Sequence, residues 1–349
     1  MVEKQTQIIS IHPTRPEPHL IAQATAVIQA GGLVAFPTET VYGLGADALN
    51  DTAVQKIFTA KQRPAYDPII AHINHIDQLD QLAINVPDSA ALLAEKFWPG
   101  PLTFILPKAE HVPSRLTAGG PTVAVRCPSH PIARALIQAA QTPIGAPSAN
   151  RFSHTSPTSA QHVWDDLNGR IELILDGGPA HIGVESTVLD LTQAVPTILR
   201  PGGITFEMLT AVLPHVRPHQ PNPKKSQKEV QISPGLLERH YAPSTPLWLV
   251  TGHNQEIYQK IRQTVANHPD KKFGLMIANE DLAELQTTAS QIGIVGSLND
   301  LEEVASQLFQ TMRQLETHPL DFILARSYPT QGIGAAIQDR LRRAADKVF

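Results

Sequence analysis

Short apolar runs alternating with amphipathic stretches predict an α/β protein built as two units. Three observations carry this. Runs such as Leu33-Val34-Ala35-Phe36 and Thr122-Val123-Ala124-Val125 have strand length and stop at proline or charge. Stretches 19–30 and 301–315 repeat apolar residues at helical spacing. At 214–234 the sequence PHVRPHQPNPKKSQKEVQISP turns polar, proline-rich and aperiodic, as linkers do. The expected division is a first unit at 1–213, a linker at 214–244 and a second unit at 245–349.

Composition narrows the function classes. The chain has 349 residues, 42% hydrophobic and 17% charged, enough for a sizeable core and unlike a disordered chain. A formal net charge of -4 argues against a broad nucleic-acid surface and leaves room only for a local basic patch. A single cysteine, Cys127, allows no intrachain disulfide and fits a reducing compartment. The N-terminal residues lack a secretory apolar core, and no run approaches the ~18 residues of a membrane span. The expectation is a cytoplasmic protein with no membrane contact.

In chain order, Gln7 to Ile11 reads as a strand and His19 to Ala30 as a helix ending at Gly31-Gly32. The next strand, Leu33 to Phe36, stops at Pro37 and is followed by a polar, glycine-studded loop with Thr38, Glu39, Thr40, Tyr42, Gly43 and Gly45. Loops leaving buried strands are where α/β folds place ligands, and its glycines would allow close approach of a ligand. Asn50 or Asp51 can cap a helix carrying Val54, Ile57 and Phe58 and ending in Lys61-Gln62-Arg63-Pro64. Those cations either complement the helix dipole or hold an anion. His72, in the strand Pro68 to Ile73, is either a satisfied core residue or a functional one; its spacing from His75 excludes a metal pair on one face.

A helix at 89–97, a Trp98-Pro99-Gly100-Pro101 turn, and strands at 102–106 and 122–126 follow. Cys127 is read as a small buried residue rather than a reactive thiol. The segment from Pro143 to Thr158 is rich in hydroxyls, either as helix caps or as neutral donors around phosphates. Strands are expected near 174–178 and 183–191, and Arg200 in an exposed Arg-Pro-Gly-Gly turn. The second unit reads as strands near 247–250, 273–277, 292–295 and 322–325. Its helices are expected at 254–266, after a Ser297 and Asp300 capping box, and at 334–347. Arg63, Arg126, Arg200 and Lys61 all stand where elements end. Converging cations with hydroxyls between them suit a ligand with several anionic groups, such as nucleotide phosphates plus a carboxylate.

No Walker-type G-x-x-x-x-G-K-[ST] and no G-x-S-x-G elbow is present. Gly43 to Ala48 fits G-x-G-x-x-A, but it does not follow its strand directly and no suitable carboxylate follows the next strand, which sets aside a dinucleotide site.

Read together, PTETVYGLG at 37–45, Lys61-x-Arg63, TVAVRCPSHP at 122–131, Pro147-Ser148-Ala149-Asn150, GVESTV at 183–188, LRPGG at 199–203, SPG…HYAP at 233–243 and GIGAAIQDRLRRAA at 332–345 resemble the YrdC/Sua5 family of L-threonylcarbamoyladenylate synthases. The resemblance covers nearly the whole chain and is to the long, two-domain type. It implies a YrdC-like twisted mixed-sheet domain with a concave active site, plus a smaller Rossmann-like C-terminal domain. It implies formation of threonylcarbamoyl-AMP and pyrophosphate from L-threonine, bicarbonate or CO2, and ATP. A partner tRNA threonylcarbamoyl-transfer complex would use the product at adenosine 37 of tRNAs reading ANN codons.

The same resemblance assigns residues. Thr40, His72, Arg126, Ala146 and Ser186 would hold threonine, with Arg126 on its carboxylate. Lys61, Arg63, Thr122, Ser148, Asn150, Ser156 and Arg200 would contact ATP, with His240 and Tyr241 reaching over the nucleotide. Lys61, Arg63 and Arg200 would offset charge as pyrophosphate leaves, with Mg2+ carried mainly by the ATP phosphates and no organic cofactor. Asp67 stands where the family has asparagine, an ATP-facing position at which an anion repels phosphate unless it is neutralised or turned away. Leu236-Leu237-Glu238 likewise replaces a Met-Lys-aromatic run. Alternatives are a double-stranded RNA-binding module of the same fold and, on account of Asp67, a catalytically inactive relative.

Overall fold

The computed structural model describes residues 5–219, 231–235 and 239–349. Lys224, Lys225, Lys228 and the Leu236-Leu237-Glu238 departure lie outside them. The chain divides into two compact units, one of residues 1–152, 156–181 and 185–236, the other of 153–155, 182–184 and 237–349. No helix among the described residues is long and apolar enough to cross a membrane.

The first unit runs β1 (Gln7–Ser10), α1 (Pro18–Gln29), β2 (Val34–Phe36), β3 (Gly43–Asp47), α2 (Asp51–Lys61), β4 (Ile70–His72), α3 (Asp88–Phe97), β5 (Leu102–Pro107), β6 (Thr122–Arg126), α4 (Pro131–Ala140), β7 (Ile144–Gly145), α5 (Ala160–Leu167), β8 (Leu173–Asp176), β9 (Thr187–Asp190), β10 (Thr197–Arg200), α6 (Phe206–Val212) and β11 (Arg217–Pro218). The strands form one mixed sheet in the order β1-β8-β2-β3-β7-β4-β6-β5-β9-β10-β11.

Helices α2, α3, α5 and α6 bury their apolar stripes against one face of this sheet, through Ile57, Leu93, Val163 and Leu209 among others. On the opposite face, α1 and α4 cover the half built from β1, β8, β2 and β3, packing Ile28 and Ile137 onto Val34, Phe36 and Leu175. The other half of that face carries a small apolar cluster, Ile70, Ile105, Ala124, Val188 and Leu199, with Ile232 packed on it. This second half is where the register matters. Ile144 pairs with His72, His72 with Arg126, Arg126 with Thr103, Thr103 with Val188, and Val188 with Arg200. Laterally paired residues point to the same face, so one row across six strands presents His72, Arg126, Thr103 and Arg200 together.

Arg200 reaches that face through a bulge. Ile198 pairs with Leu189 but Arg200 pairs with Val188, so Leu199 is the extra residue on β10. One inserted residue exchanges the two faces of a strand beyond it. Arg200 therefore does not lie in an exposed turn: it ends a buried strand and is 3% exposed. Directly after it, Gly202 rests on the backbone of residues 185–187; a Cβ there would lie 2.3 Å from the Glu185 carbonyl oxygen and 2.4 Å from the Thr187 nitrogen.

The structure corrects other expectations as well. Gly43 and Gly45 belong to β3, antiparallel to β2, not to a ligand loop. A Cβ on Gly45 would meet the Phe36 ring at 2.6 Å and Ile144 at 2.8 Å, so this glycine makes room for core side chains rather than for a ligand. Helices α4, α5 and α6 were absent from the expected elements. Helices α5 and α6 have only 8 and 7 residues, whereas PIARALIQAA carries a clear apolar stripe, Ile132, Ala133, Leu136, Ile137 and Ala140, so α4 was legible in the sequence. Just after the hydroxyl-rich segment, Ser159 caps α5 by accepting from the His162 amide. Asn50, rather than Asp51, caps α2.

The second unit contains β12 (Leu247–Val250), α7 (Asn254–Ala266), β13 (Phe273–Ile277), α8 (Leu282–Leu285), β14 (Gln291–Ile294), α9 (Leu301–Glu316), β15 (Phe322–Arg326), α10 (Gly334–Ala344) and β16 (Lys347–Val348). Its sheet, ordered β14-β13-β15-β12-β16, is parallel throughout. Helix α9 is capped by Asp300 alone, whose carboxylate accepts from the Glu302 and Glu303 amides; Ser297 is not the cap. Helix α10 stops at Ala344, and the last residues add the short strand β16 instead of more helix. At the strand ends Arg326 is paired with buried Asp281, which also accepts from the Tyr258 hydroxyl.

Two expected outcomes follow from this architecture. Gly202→Ala must push β10 away from residues 185–187, costing about 1–3 kcal/mol; a thermal melt of the variant will show a lowered midpoint. His130 caps α4 by accepting the Ile132 amide at Nδ1, 3.2 Å, which requires that nitrogen to be unprotonated. Burial, with the nearby His181, lowers its pKa to about 4 against the weaker opposing pull of Glu39. An unfolded histidine titrates near ~6.5, so between ~6.5 and that lowered value the unfolded chain binds the extra proton and stability falls as pH falls. His130→Asn keeps a cap acceptor without the titration, and its melting temperature will fall less steeply than the parent's as pH drops from neutral.

Candidate active site

The row on the half of the sheet face not packed by α1 and α4 sorts the expected residues into two neighbourhoods. The first surrounds Arg126. Position 126 closes β6, where the strand's alternation turns the side chain onto the row face. Its Nη1 donates to the Thr40 hydroxyl at 3.0 Å and its Nε to the Gly100 carbonyl at 3.3 Å. Its Nη2 lies 2.7 Å from the Glu39 carboxylate. Thr40 is held in turn by Thr38, whose hydroxyl is 2.8 Å away and donates to the Val41 carbonyl.

His72 stands on the adjacent strand. Burial, reinforced by the charge of Arg126, lowers its pKa to about 3, so it is a neutral imidazole. Its Nδ1 has no hydrogen-bond partner among the described residues. Ala146 follows β7 and donates its amide to the Ile70 carbonyl. A buried fork with a hydroxyl beside it, a neutral imidazole and a small residue form a compact place for a carboxylate-bearing ligand.

The second neighbourhood gathers Lys61, Arg63, Asp67, Ser148, Asn150, Ser186 and Arg200. Lys61 ends α2 and is 1% exposed, its ammonium donating to the Ser148 and Asn150 carbonyls. Burial, then the charge of Arg63, depresses its pKa well below the usual lysine range. Arg63 donates to the Asp67 and Pro68 carbonyls and forms a 2.9 Å ion pair with the Asp67 carboxylate. Burial raises the Asp67 pKa, opposed by Arg63, Lys61 and Arg200. The aspartate thus has cationic neighbours, and Arg63 neutralises it directly. Arg200 grips the Ser186 carbonyl through Nε and Nη2, at 3.1 and 3.0 Å, and reaches the Ser186 hydroxyl at 3.2 Å. That hydroxyl is 2.8 Å from the hydroxyl of Thr103. The carbonyl of Pro234 also accepts from Arg200, at 3.3 Å.

The two neighbourhoods are joined by Thr103, which pairs with Arg126 in the sheet and touches Ser186. Thr122 begins β6, at the opposite end from Arg126. Ser156 donates to the buried Glu185 carboxylate at 2.5 Å. His240 and Tyr241 belong to the second unit. There Tyr241 adopts a left-handed φ of 63° and its ring packs against Phe309 and under the Arg340 guanidinium, 5.0 Å from the centroid.

Glu39, Thr103 and Glu185 were not singled out as site residues from sequence. Glu39 and Glu185 sit inside motifs that were, and Thr103 is indistinguishable from an ordinary strand threonine until β5 is paired with β6. Tyr42, named among the polar residues of the expected ligand loop, donates to the Gly178 carbonyl at 2.6 Å and braces β3. Cys127 is buried, its pKa pushed up to about 11, in keeping with an unreactive core thiol.

Comparison with known proteins identifies the family. Residues 26–202 match the Sua5/YciO/YrdC family model described as telomere recombination, and residues 204–346 match the threonylcarbamoyl-AMP synthase C-terminal domain. The chain is 44% identical over 342 residues to the threonylcarbamoyl-AMP synthase of Pyrococcus abyssi, covering 97% of this chain and 98% of that protein. It is 45% identical over 326 residues to that of Bacillus subtilis, covering 93% and 92% respectively. Among solved structures, P. abyssi Sua5 complexed with L-threonine superposes with a TM-score of 0.91 at 43% identity, over 98% of this chain and 100% of that one. With both units matched in order and a relative aligned along nearly its whole length, the chain belongs to the Sua5/YrdC family, in its two-domain form with the threonylcarbamoyl-AMP synthase C-terminal domain.

Proposed function

We propose that this chain is an L-threonylcarbamoyladenylate synthase. It makes threonylcarbamoyl-AMP and pyrophosphate from L-threonine, bicarbonate or CO2, and ATP. The product would supply a tRNA threonylcarbamoyl-transfer complex, acting in the cytoplasm at adenosine 37 of tRNAs reading ANN codons. The observation that carries this reading is the row placing Arg126 and Arg200 on one sheet face with the Thr103–Ser186 hydroxyl pair between them. Arg126 suits a carboxylate, and Arg200, with Lys61 and Arg63 nearby, suits phosphates. The family match and the threonine-bound relative support the same assignment.

The chemistry asks for positioning more than for a protein nucleophile. The threonine amine, once neutral, takes up the carbon of bicarbonate with loss of water, giving a carbamate. A carbamate oxygen then bonds to the α-phosphorus of ATP, and the bond to the departing pyrophosphate breaks. Arg126, Thr40, His72, Ala146 and Ser186 would hold the threonine, and His72, being neutral, adds no second cation. Lys61, Arg63 and Arg200 would stabilise charge on the leaving group, with Thr122, Ser148, Asn150 and Ser156 as further ATP contacts. Magnesium would arrive on the ATP phosphates as part of the substrate.

Incubation with ATP, threonine and bicarbonate is expected to release pyrophosphate only when threonine is present; folded protein that releases none overturns the reading. Arg126→Ala will raise the half-saturating threonine concentration by ~10-fold or more, the loss of a charged hydrogen-bonded contact, with a smaller effect on ATP. Arg126→Lys, which keeps the charge without the planar fork, will fall between the two.

A further inference from the structure

Glu39 carries a function beyond filling its loop. It follows β2 and is 6% exposed. One of its oxygens lies 2.7 Å from Arg126 Nη2, yet neither carboxylate oxygen, nor that nitrogen, has a well-directed hydrogen bond among the described residues. The pair therefore cancels charge while leaving hydrogen-bonding capacity unused. A carboxylate offers about four lone-pair directions, and a buried one is normally saturated with donors. Its immediate neighbour Thr40 and the imidazole of His72 serve the same Arg126 neighbourhood, where His72 Nδ1 is also without a partner.

A ligand carrying only a carboxylate would bind Arg126 at the expense of stranding the buried Glu39 beside a second anion. A ligand carrying only an amine would strand Arg126. An α-amino acid carries both charges and can enter the pair without leaving either residue unmatched: its carboxylate takes the guanidinium and its ammonium takes the carboxylate. Resting on the threonine reading above and deepening it, we infer that Glu39 is the amine-binding residue, which selects a free zwitterionic amino acid by exchanging its ion pair with Arg126 for two ion pairs to the ligand. Glu39 thereby becomes a specificity determinant on the opposite side of the substrate from Arg126.

The test is calorimetric titration of the wild-type chain and of Glu39→Gln with three ligands: L-threonine, 2,3-dihydroxybutyrate (threonine with hydroxyl in place of the amine) and ATP. The wild-type chain is expected to prefer threonine to the hydroxy acid by on the order of 30-fold or more, the scale of a lost buried charge partner. Glu39→Gln will weaken threonine binding and strengthen binding of the hydroxy acid, because Arg126 no longer has an internal competitor, with ATP binding retained. Glu39→Asp will restore part of the preference. A wild-type chain that binds both acids equally overturns the inference without recourse to any variant, as does a Glu39→Gln chain that keeps the wild-type preference. A wild-type chain that binds ATP but neither acid overturns the threonine reading itself.

Discussion

A guanidinium buried in a sheet must be matched, and the half of the first unit's sheet face not packed by α1 and α4 is arranged around that demand. Arg126 is 4% exposed and Arg200 is 3% exposed, so neither can rely on water. Arg126 is supplied by Glu39, Thr40 and the Gly100 carbonyl; Arg200 by Ser186 and Pro234. Removing one partner of such a pair while leaving the other costs about 3–5 kcal/mol. The same partners that keep these cations inside the protein also hold them on one face, ready for an anionic ligand.

Sheet register converts that electrostatic demand into a site. His72, Arg126 and Thr103 lie on three neighbouring strands at paired positions, so their side chains share a face without any need for a shaped loop. Arg200 joins them because the bulge at Leu199 turns β10 by one residue, and Gly202 lets the following turn lie flat on residues 185–187. Helices α1 and α4 cover only the β1, β8, β2 and β3 half of this face. The candidate binding row and helix packing therefore divide one sheet face between them, while on the other face α2, α3, α5 and α6 cover the central strands and the edge strands β1 and β11 stay largely exposed.

Much of this was legible beforehand. Strands β4, β5 and β6 announced themselves by short apolar runs, and α1, α2, α7 and α9 by helical spacing and caps. Of the helices that escaped notice, α5, α6 and α8 are short, with 8, 7 and 4 residues, whereas α4 showed its apolar stripe in the sequence and was simply not read as a helix. The glycines of PTETVYGLG illustrate the opposite error. Glycine signals a close approach but not of what; here the approaching groups are Phe36 and Ile144. Asp67 is similar: the resemblance puts an anion where an ATP contact is expected, and only its 2.9 Å contact with Arg63 shows which cation it meets.

By itself the sequence determined the α/β class and the ordered motifs that mark the family, and it displayed Lys61, Arg63, Arg126 and Arg200 as candidate cations for a polyanionic ligand. These depend on local spacing and residue chemistry, which the chain states directly. Tertiary structure alone decided that Arg126 and Glu39, 87 positions apart by their numbers, share an ion pair, that Thr103 bridges to Ser186, and that Arg200 is buried rather than exposed. Those facts follow from strand order, register and a single bulge, all set by contacts between segments distant in sequence. A one-residue change in register would leave every motif intact and turn its side chains to the other face.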